Sequence, residues 1–237
     1  MILEIFATSM LKRGLILLML TAPIVTECKT CIDMSRRLYQ TMNEEQFIRK
    51  VKAMVRKHEG YRNYVYKDSR GYLTMGTGHR LTDQEKTKYK EGDRVNESYL
   101  EGLFEKDFKL HYARAKEIKG FDTLTAQQRA ALIDLTFNMG VNWTAKFPNL
   151  IKNIKKASEQ TNPVLKKIYM RKAAGELKFV NAEKSDFTES KYFGQVGYRA
   201  EDNYERLMND NDEWDLEEVS YQQEYGGIDE PEANFTF

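Results

Sequence analysis

The sequence predicts an α+β fold, mostly α, in which a small β-hairpin lobe is joined by a long helix to a helical lobe. Three observations carry that expectation. Charged residues make up 31% of the 237, aromatics 12%, and prolines number only 4, a balance that suits a helix-rich chain with a real core. Apolar residues recur at helical spacing in most segments between Glu44 and Met208. One stretch, 61–80, drops that period for Tyr, Val and Thr broken by Asp68, Gly71, Gly76 and Gly78, which reads as a hairpin or small sheet.

The first helix of the body is expected from Glu44 to Lys57. Phe47, Val51, Met54 and Val55 follow helical spacing, with acids early and bases late as the helix dipole prefers. Glu59 stands where that helix ends, just before Gly60, a C-terminal stop. After the hairpin, Asn96 caps a helix whose Leu100, Leu103, Phe104 and Phe108 carry it toward Lys116; this is the connector between lobes. Thr125 caps the next helix. Its continuation from Ala130 to Phe137 is apolar almost all round, which places it at the centre of the helical lobe. Further helices are expected over 148–157, 163–179 and 197–208.

The net charge of +1 hides a division. Asn209 to Phe237 holds 10 acidic residues and no Lys or Arg, leaving about +11 on residues 1–208. Such a body favours polyanionic partners, among them nucleic acid and a bacterial wall with its lactyl and peptide carboxylates. The sequence has no Lys/Arg run with interleaved aromatics and no Gly-rich phosphate cradle, so the expected partner is the wall and not nucleic acid. At the other end, Lys12-Arg13 precede the uncharged run Gly14 to Val25, the pattern of a secretory signal or anchor. That run is short of the roughly 20 apolar residues of a membrane span; a helix that packs on the body or on a partner protein is the competing reading. Cys28 and Cys31 form one C-x-x-C, read as a short disulfide or a pair of thiols. The chain therefore divides into an N-terminal extension, 1–43, a folded body, 44–208, and an acidic tail, 209–237, extended or partner-dependent.

The segment His58 to His79 carries the chemistry. Glu59 closes a helix with aromatic neighbours in sequence, and Asp68 sits in a polar turn. Two acids in unlike surroundings can acquire different pKa values, so that one holds its proton and donates while the other stays ionised. Breaking a glycosidic bond requires that division of labour. Glu59 is the candidate general acid, Asp68 the carboxylate that holds water or stabilises oxocarbenium charge, and Thr74 a hydroxyl that orients the water as donor and acceptor. Taken singly, a helix-end Glu, an Asp beside a turn Gly and a strand Thr are ordinary surface, turn and pairing residues; it is their combination that points to catalysis.

Glu59 to Thr82 resembles the T-even phage lysozymes of glycoside hydrolase family 24: a Glu in D/H-E-G, then Asp in Y-K-D, Thr in G-Y-x-T, and G-x-G-H-x-L-T. Leu124 to Gly140, Phe147 to Leu150 and Ser190 to Arg199 continue the similarity, so that it covers about 45–207. The resemblance implies a lysozyme-like fold and an inverting N-acetylmuramidase that cuts the β-1,4 bond between N-acetylmuramic acid and N-acetylglucosamine, with no metal and no organic cofactor. It carries substrate binding onto Gly78, Arg80, Phe137, Asn138 and Leu150. It implies a supporting pair, His79 with Asp107, and an Arg199 that contacts Glu59 from the other lobe. The sequence departs from the family at Arg80 (apolar there), Asn138 (Gln), Leu150 (Ser) and Tyr192 (Trp), changes that bear on glycan contact and leave Glu59, Asp68 and Thr74 in place. An insertion around Val180 to Asp186 obscures one further binding position.

The expected role is phage lysis or virion-borne wall penetration. The protein would act on the wall in the periplasm after export or tethering through the N-terminal segment, or as part of a virion whose proteins the extension or tail would contact. The alternative is a glycan-binding or structural virion module that keeps the fold without turnover.

Overall fold

A computed structural model describes residues 29–180 and 188–210. The expectations for the run 14–25, for the state of Cys28, for the insertion after Val180 and for nearly all of the acidic tail lie outside those residues. The chain separates into two compact units, Met1–Gln46 and Phe47–Phe237. The second holds both lobes.

Helix α1 spans Lys29–Glu59. It reaches back well before the Glu44 that periodicity suggested, because no Gly or Pro interrupts the sequence between Lys29 and Glu44. It stops where expected: Gly60 takes φ 69° and its N–H returns to the carbonyl of Arg56 at 3.0 Å, a left-handed C-terminal residue that only glycine adopts without strain. Strands β1 (Arg62–Lys67), β2 (Leu73–Gly76) and β3 (His79–Arg80) follow as an antiparallel meander in the order β1-β2-β3. Tyr66 and Lys67 pair with Thr74 and Leu73, and Thr74 and Met75 pair with Arg80 and His79; a bulge lies between Arg62 and Tyr66.

A short helix α2 (Asp83–Lys86) was not anticipated, although its signal stands in the sequence: Thr82 and Glu85 form a capping box. Helix α3 is Glu97–Lys116, capped by Asn96, whose side chain accepts from the N–H of Tyr99. Helix α4 (Ala126–Met139) opens on a capping box of Thr125 and Gln128. Then come α5 (Pro148–Ser158) and α6 (Pro163–Lys178), α7 (Lys191–Val196), a second unanticipated helix capped by Ser190, and α8 (Tyr198–Met208). The predicted α+β, mostly helical, lysozyme-like architecture is what the described residues form.

The buried apolar residues fall into two clusters. Val65, Met75 and Leu81 of the sheet lobe pack with Val95, Leu100 and Leu103. The larger cluster gathers Val51 and Val55 of α1, Leu132, Ile133 and Leu135 of α4, Trp143, Ile154, Leu177 and Leu207. Helix α3 serves both, giving Leu100 and Leu103 to the first and Phe104 and Phe108 to the second. The connector is thus built into two cores, each driven by burial of roughly 2 kcal/mol per large side chain. Among the described residues no helix is long and apolar enough to cross a membrane.

Candidate active site

A cleft of about 1020 Å³ runs between the lobes, and its walls come from both of them. Glu59, Gly78, His79 and Arg80 line one side, Asp107 and His111 of α3 the floor, and Phe137, Asn138, Phe147 and Tyr192 the other side. Seven residues singled out by sequence thus meet in one cavity: Glu59, Gly78, His79, Arg80, Asp107, Phe137 and Asn138. Asn138 lines the cleft, and its Oδ1 is buried with no partner among the described residues.

Glu59 retains 18% side-chain exposure at the end of α1. Its Oε1 accepts from Arg199 Nη1 of α8 at 2.6 Å. Its Oε2 faces Gly78, where a Cβ would sit 3.0 Å away, so this glycine with φ 74° lets the hairpin backbone come up against the acid. The aromatic surroundings expected from sequence are present at longer range: the charge of Glu59 is felt by the phenols of Tyr66 and Tyr192, while the group in direct contact is a guanidinium.

Asp68 closes the hairpin. Its Oδ1 accepts from the backbone N–H of Arg70 at 3.0 Å and of Tyr72 at 2.7 Å, and its Oδ2 lies 3.5 Å from Arg80 Nη2. Arg80 in turn stacks its guanidinium 3.8 Å from the centre of the Tyr72 ring. The residue carried over as a sugar contact therefore pairs with the second carboxylate and still lines the cleft. Glu59 and Asp68 both act on Tyr66. Burial pushes that phenol up to about 12, Arg62 opposes the shift, and the two carboxylates add to it.

Thr74 is 4% exposed, opposite Arg80 in the sheet, and its hydroxyl donates to the carbonyl of Tyr72 at 3.1 Å. Its donor is engaged. What remains for a water is the acceptor side of the oxygen, and neither Thr74 nor Asp68 is among the residues that line the cleft.

Leu150 is the clear correction. It is fully buried in the helical core and does not line the cleft, so it has no surface to offer a sugar. An aliphatic side chain at this site in α5 gains more from the core than from a wet wall, whereas a hydroxyl would have carried a polar cost there.

His79 Nδ1 lies 2.6 Å from Asp107 Oδ2, and its Nε2 lies 3.1 Å from Glu85 Oε2. Sequence reasoning named the first partner and missed the second. Burial disfavours the imidazolium, but the hydrogen bonds and charges of Asp107 and Glu85 outweigh it and raise the pKa above 6.5. Burial acts in the opposite sense on Glu85, and bonds from Thr82, His79 and Tyr99 overcome it to bring the carboxyl down to about 2. The sign of the linkage follows. A raised histidine pKa gives a contribution that is complete below 6.5 and is lost as pH rises through the folded value, while Glu85 stays ionised throughout. Thermal unfolding of the wild type should therefore lose stability over that rise. The Asp107→Asn variant should lose less over the same range, and equal slopes for the two would remove the pair from the account.

Three residues of the site escaped the sequence reading. His111 lines the floor with its ring 4.8 Å from that of Phe137, and burial lowers its pKa, with Asp107, Thr136 and Glu59 opposing. His58 and Asp134 stand behind Glu59. Asp134 is fully buried and accepts from Arg199 Nε at 2.8 Å and Nη2 at 2.9 Å and from Asn203 Nδ2 at 2.7 Å; His58 Nδ1 lies 3.1 Å from its Oδ1. Burial works against that carboxylate, yet the charge of Arg199 and the bond from His58 hold it well below the usual carboxylate range. The signal was an acid inside the apolar run 130–137: an acid buried there must be paired.

Among the described residues no group of three or more His, Cys, Asp or Glu is placed to hold a metal. The chain's own residues match the phage lysozyme family over 56–178, from the end of α1 through the connector and central helix to the end of α6. This chain belongs to the phage lysozyme family. Its relatives include two proteins of Dictyostelium discoideum, named probable T4-type lysozyme 1 and 2. They are 31% and 28% identical, with 44% of this chain and 74% of each relative covered. The matched stretch contains Glu59, Asp68, Thr74 and most of the cleft; Arg199 lies beyond it.

Proposed function

We propose that this lysozyme-family chain is a peptidoglycan hydrolase, an N-acetylmuramidase that cuts the β-1,4 bond between N-acetylmuramic acid and N-acetylglucosamine. The observation that supports it is Glu59, a carboxylic acid at the end of a helix that opens into a two-walled cleft of polysaccharide-accommodating size. In this reading Glu59 protonates the leaving glycosidic oxygen. Asp68 and the acceptor side of Thr74 handle water or the developing oxocarbenium charge from the hairpin. Asn138, Phe137 and Tyr192 supply the far wall against which the sugar rings would lie. Export or tethering through the N-terminal segment, or carriage in a virion, would bring the enzyme to the wall.

One observation favours the alternative, a module that binds glycan without turnover: both oxygens of Asp68 already have protein partners. Incubation of the full chain with purified bacterial wall separates the two readings. The hydrolase gives a falling turbidity and new reducing ends that are N-acetylmuramic acid. Binding with no new reducing ends would establish the module, and reducing N-acetylglucosamine or free peptide would point to a different bond.

A further inference from the structure

The charges behind Glu59 form a chain that no direct contact with substrate explains. Asp134 stands at its centre with zero exposure, on the central helix α4. Arg199 uses Nε and Nη2 on this carboxylate and Nη1 on Glu59, so one planar guanidinium spans the buried anion and the acid. The fork geometry of arginine makes the position of Nη1 follow from the other two bonds. Asp134 also holds His58, the residue immediately before Glu59, through the Oδ1 that Arg199 Nη2 reaches, and the ring of His58 has its other nitrogen 3.4 Å from Asp202 of α8. Asp202 is itself held bidentately by Arg206.

We propose that Asp134 is the positioning residue of the candidate acid: from a single buried carboxylate it fixes both the guanidinium that contacts Glu59 and the ring of the residue beside it. The inference rests on the reading of Glu59 as the acid. Its physical content is twofold. Two of the three guanidinium contacts are taken by Asp134, so the cation is shared between two carboxylates and is not given wholly to Glu59. The last turn of α1 is tied at His58 to α4, so the carboxyl of Glu59 enters the cleft from a fixed backbone. A residue that never reaches the substrate thereby sets where the proton donor stands and how much positive charge it feels.

The charged and titratable groups around the acid come from each element packed near it: His58 on α1, Tyr66 on β1, Asp134 on α4, His111 on α3, Tyr192 on α7, and Arg199, Asp202 and Arg206 on α8. Replacing Asp134 by Asn removes one negative charge from this set and leaves the Arg199 charge to Glu59. The alkaline limb of the pH–rate profile, which reports loss of the proton from the acid, then moves to lower pH.

The experiment compares wild type and Asp134→Asn in the full chain, on soluble wall fragments, across pH. Loss of charge-assisted hydrogen bonds of this kind predicts a kcat roughly 10- to 100-fold lower, with KM within about twofold and the alkaline limb displaced downward. Asn203→Ser removes a neutral donor from the same carboxylate and keeps every charge; it should cost stability and leave the limb where it was. A folded Asp134→Asn protein with the wild-type limb and kcat overturns the proposal, as does a limb that moves equally in Asn203→Ser. If Asp134→Asn does not fold, His58→Leu carries the test, because it removes the ring that Asp134 and Asp202 hold and leaves Arg199 on Asp134. A kcat several-fold lower at unchanged KM supports the proposal, and an unchanged kcat overturns it. A wild type with no turnover at all would overturn the hydrolase reading and this inference together, whereas an active wild type beside an indifferent variant would remove this inference alone.

Discussion

Glu59→Gln is expected to lower the rate of wall hydrolysis by about 10²- to 10⁴-fold, the usual worth of a positioned general acid. The substitution keeps the shape of the side chain and removes the transferable proton. Substrate affinity should change little, since the amide still occupies the space against Gly78. The fold should also stand: Arg199 loses one anionic partner and keeps two bonds to Asp134, so the guanidinium is not left buried alone. Unfolding free energy is therefore expected to shift by about 1 kcal/mol or less, of either sign. Initial rates of turbidity loss, together with binding of the variant to wall, measure both halves of the statement. A variant that retains more than about a tenth of wild-type turnover would take the proton donor away from Glu59.

Leu150→Ala is the second large effect, and it falls on stability. With no exposed surface and a place in the helical core, this side chain should cost about 2–5 kcal/mol when truncated to Ala, from lost transfer energy and the cavity left behind. Denaturant unfolding reads that loss as a lower midpoint with an unchanged slope. KM for wall fragments, measured where the variant is still folded, should remain at the wild-type value. A raised KM with unchanged stability would instead restore Leu150 to the sugar-binding wall.

The two results bear on how much of the molecule was legible in the chain. Helix caps read well because they are local chemistry: Asn96 and Thr125 accept from the N–H groups that follow them, and α3 and α4 begin where those residues say. The segment 58–80 was legible in part: a short meander brings Glu59, Gly78, His79 and Arg80 to the cleft, whereas Asp68 and Thr74 are not among the residues that line it. The reach of α1 back to Lys29 was missed because no Gly or Pro stands between Lys29 and Glu44 and the apolar period does not extend there. Leu150 was misplaced for a different reason. A binding position inherited by likeness keeps its role only if the side chain still faces out, and an aliphatic residue next to a core turns in. Asp134 and His58 are 76 residues apart, and Asp134 and Arg199 are 65 apart. No pattern in a single sequence announces such pairings, although an acid within an apolar run shows that one must exist.

The division of α3 between two clusters has a mechanical consequence. Leu103 and Phe104 are neighbours in the chain, yet they pack into different cores, so a single peptide step inside a continuous helix separates what holds the hairpin lobe from what holds the helical lobe. Amide exchange should be slow through the Phe104–Phe108 half, which is locked to the larger body, and faster through the Leu100 end, which is released whenever the hairpin breathes. The floor residues Asp107 and His111 stand on the half of that helix whose Phe104 and Phe108 are buried in the larger core.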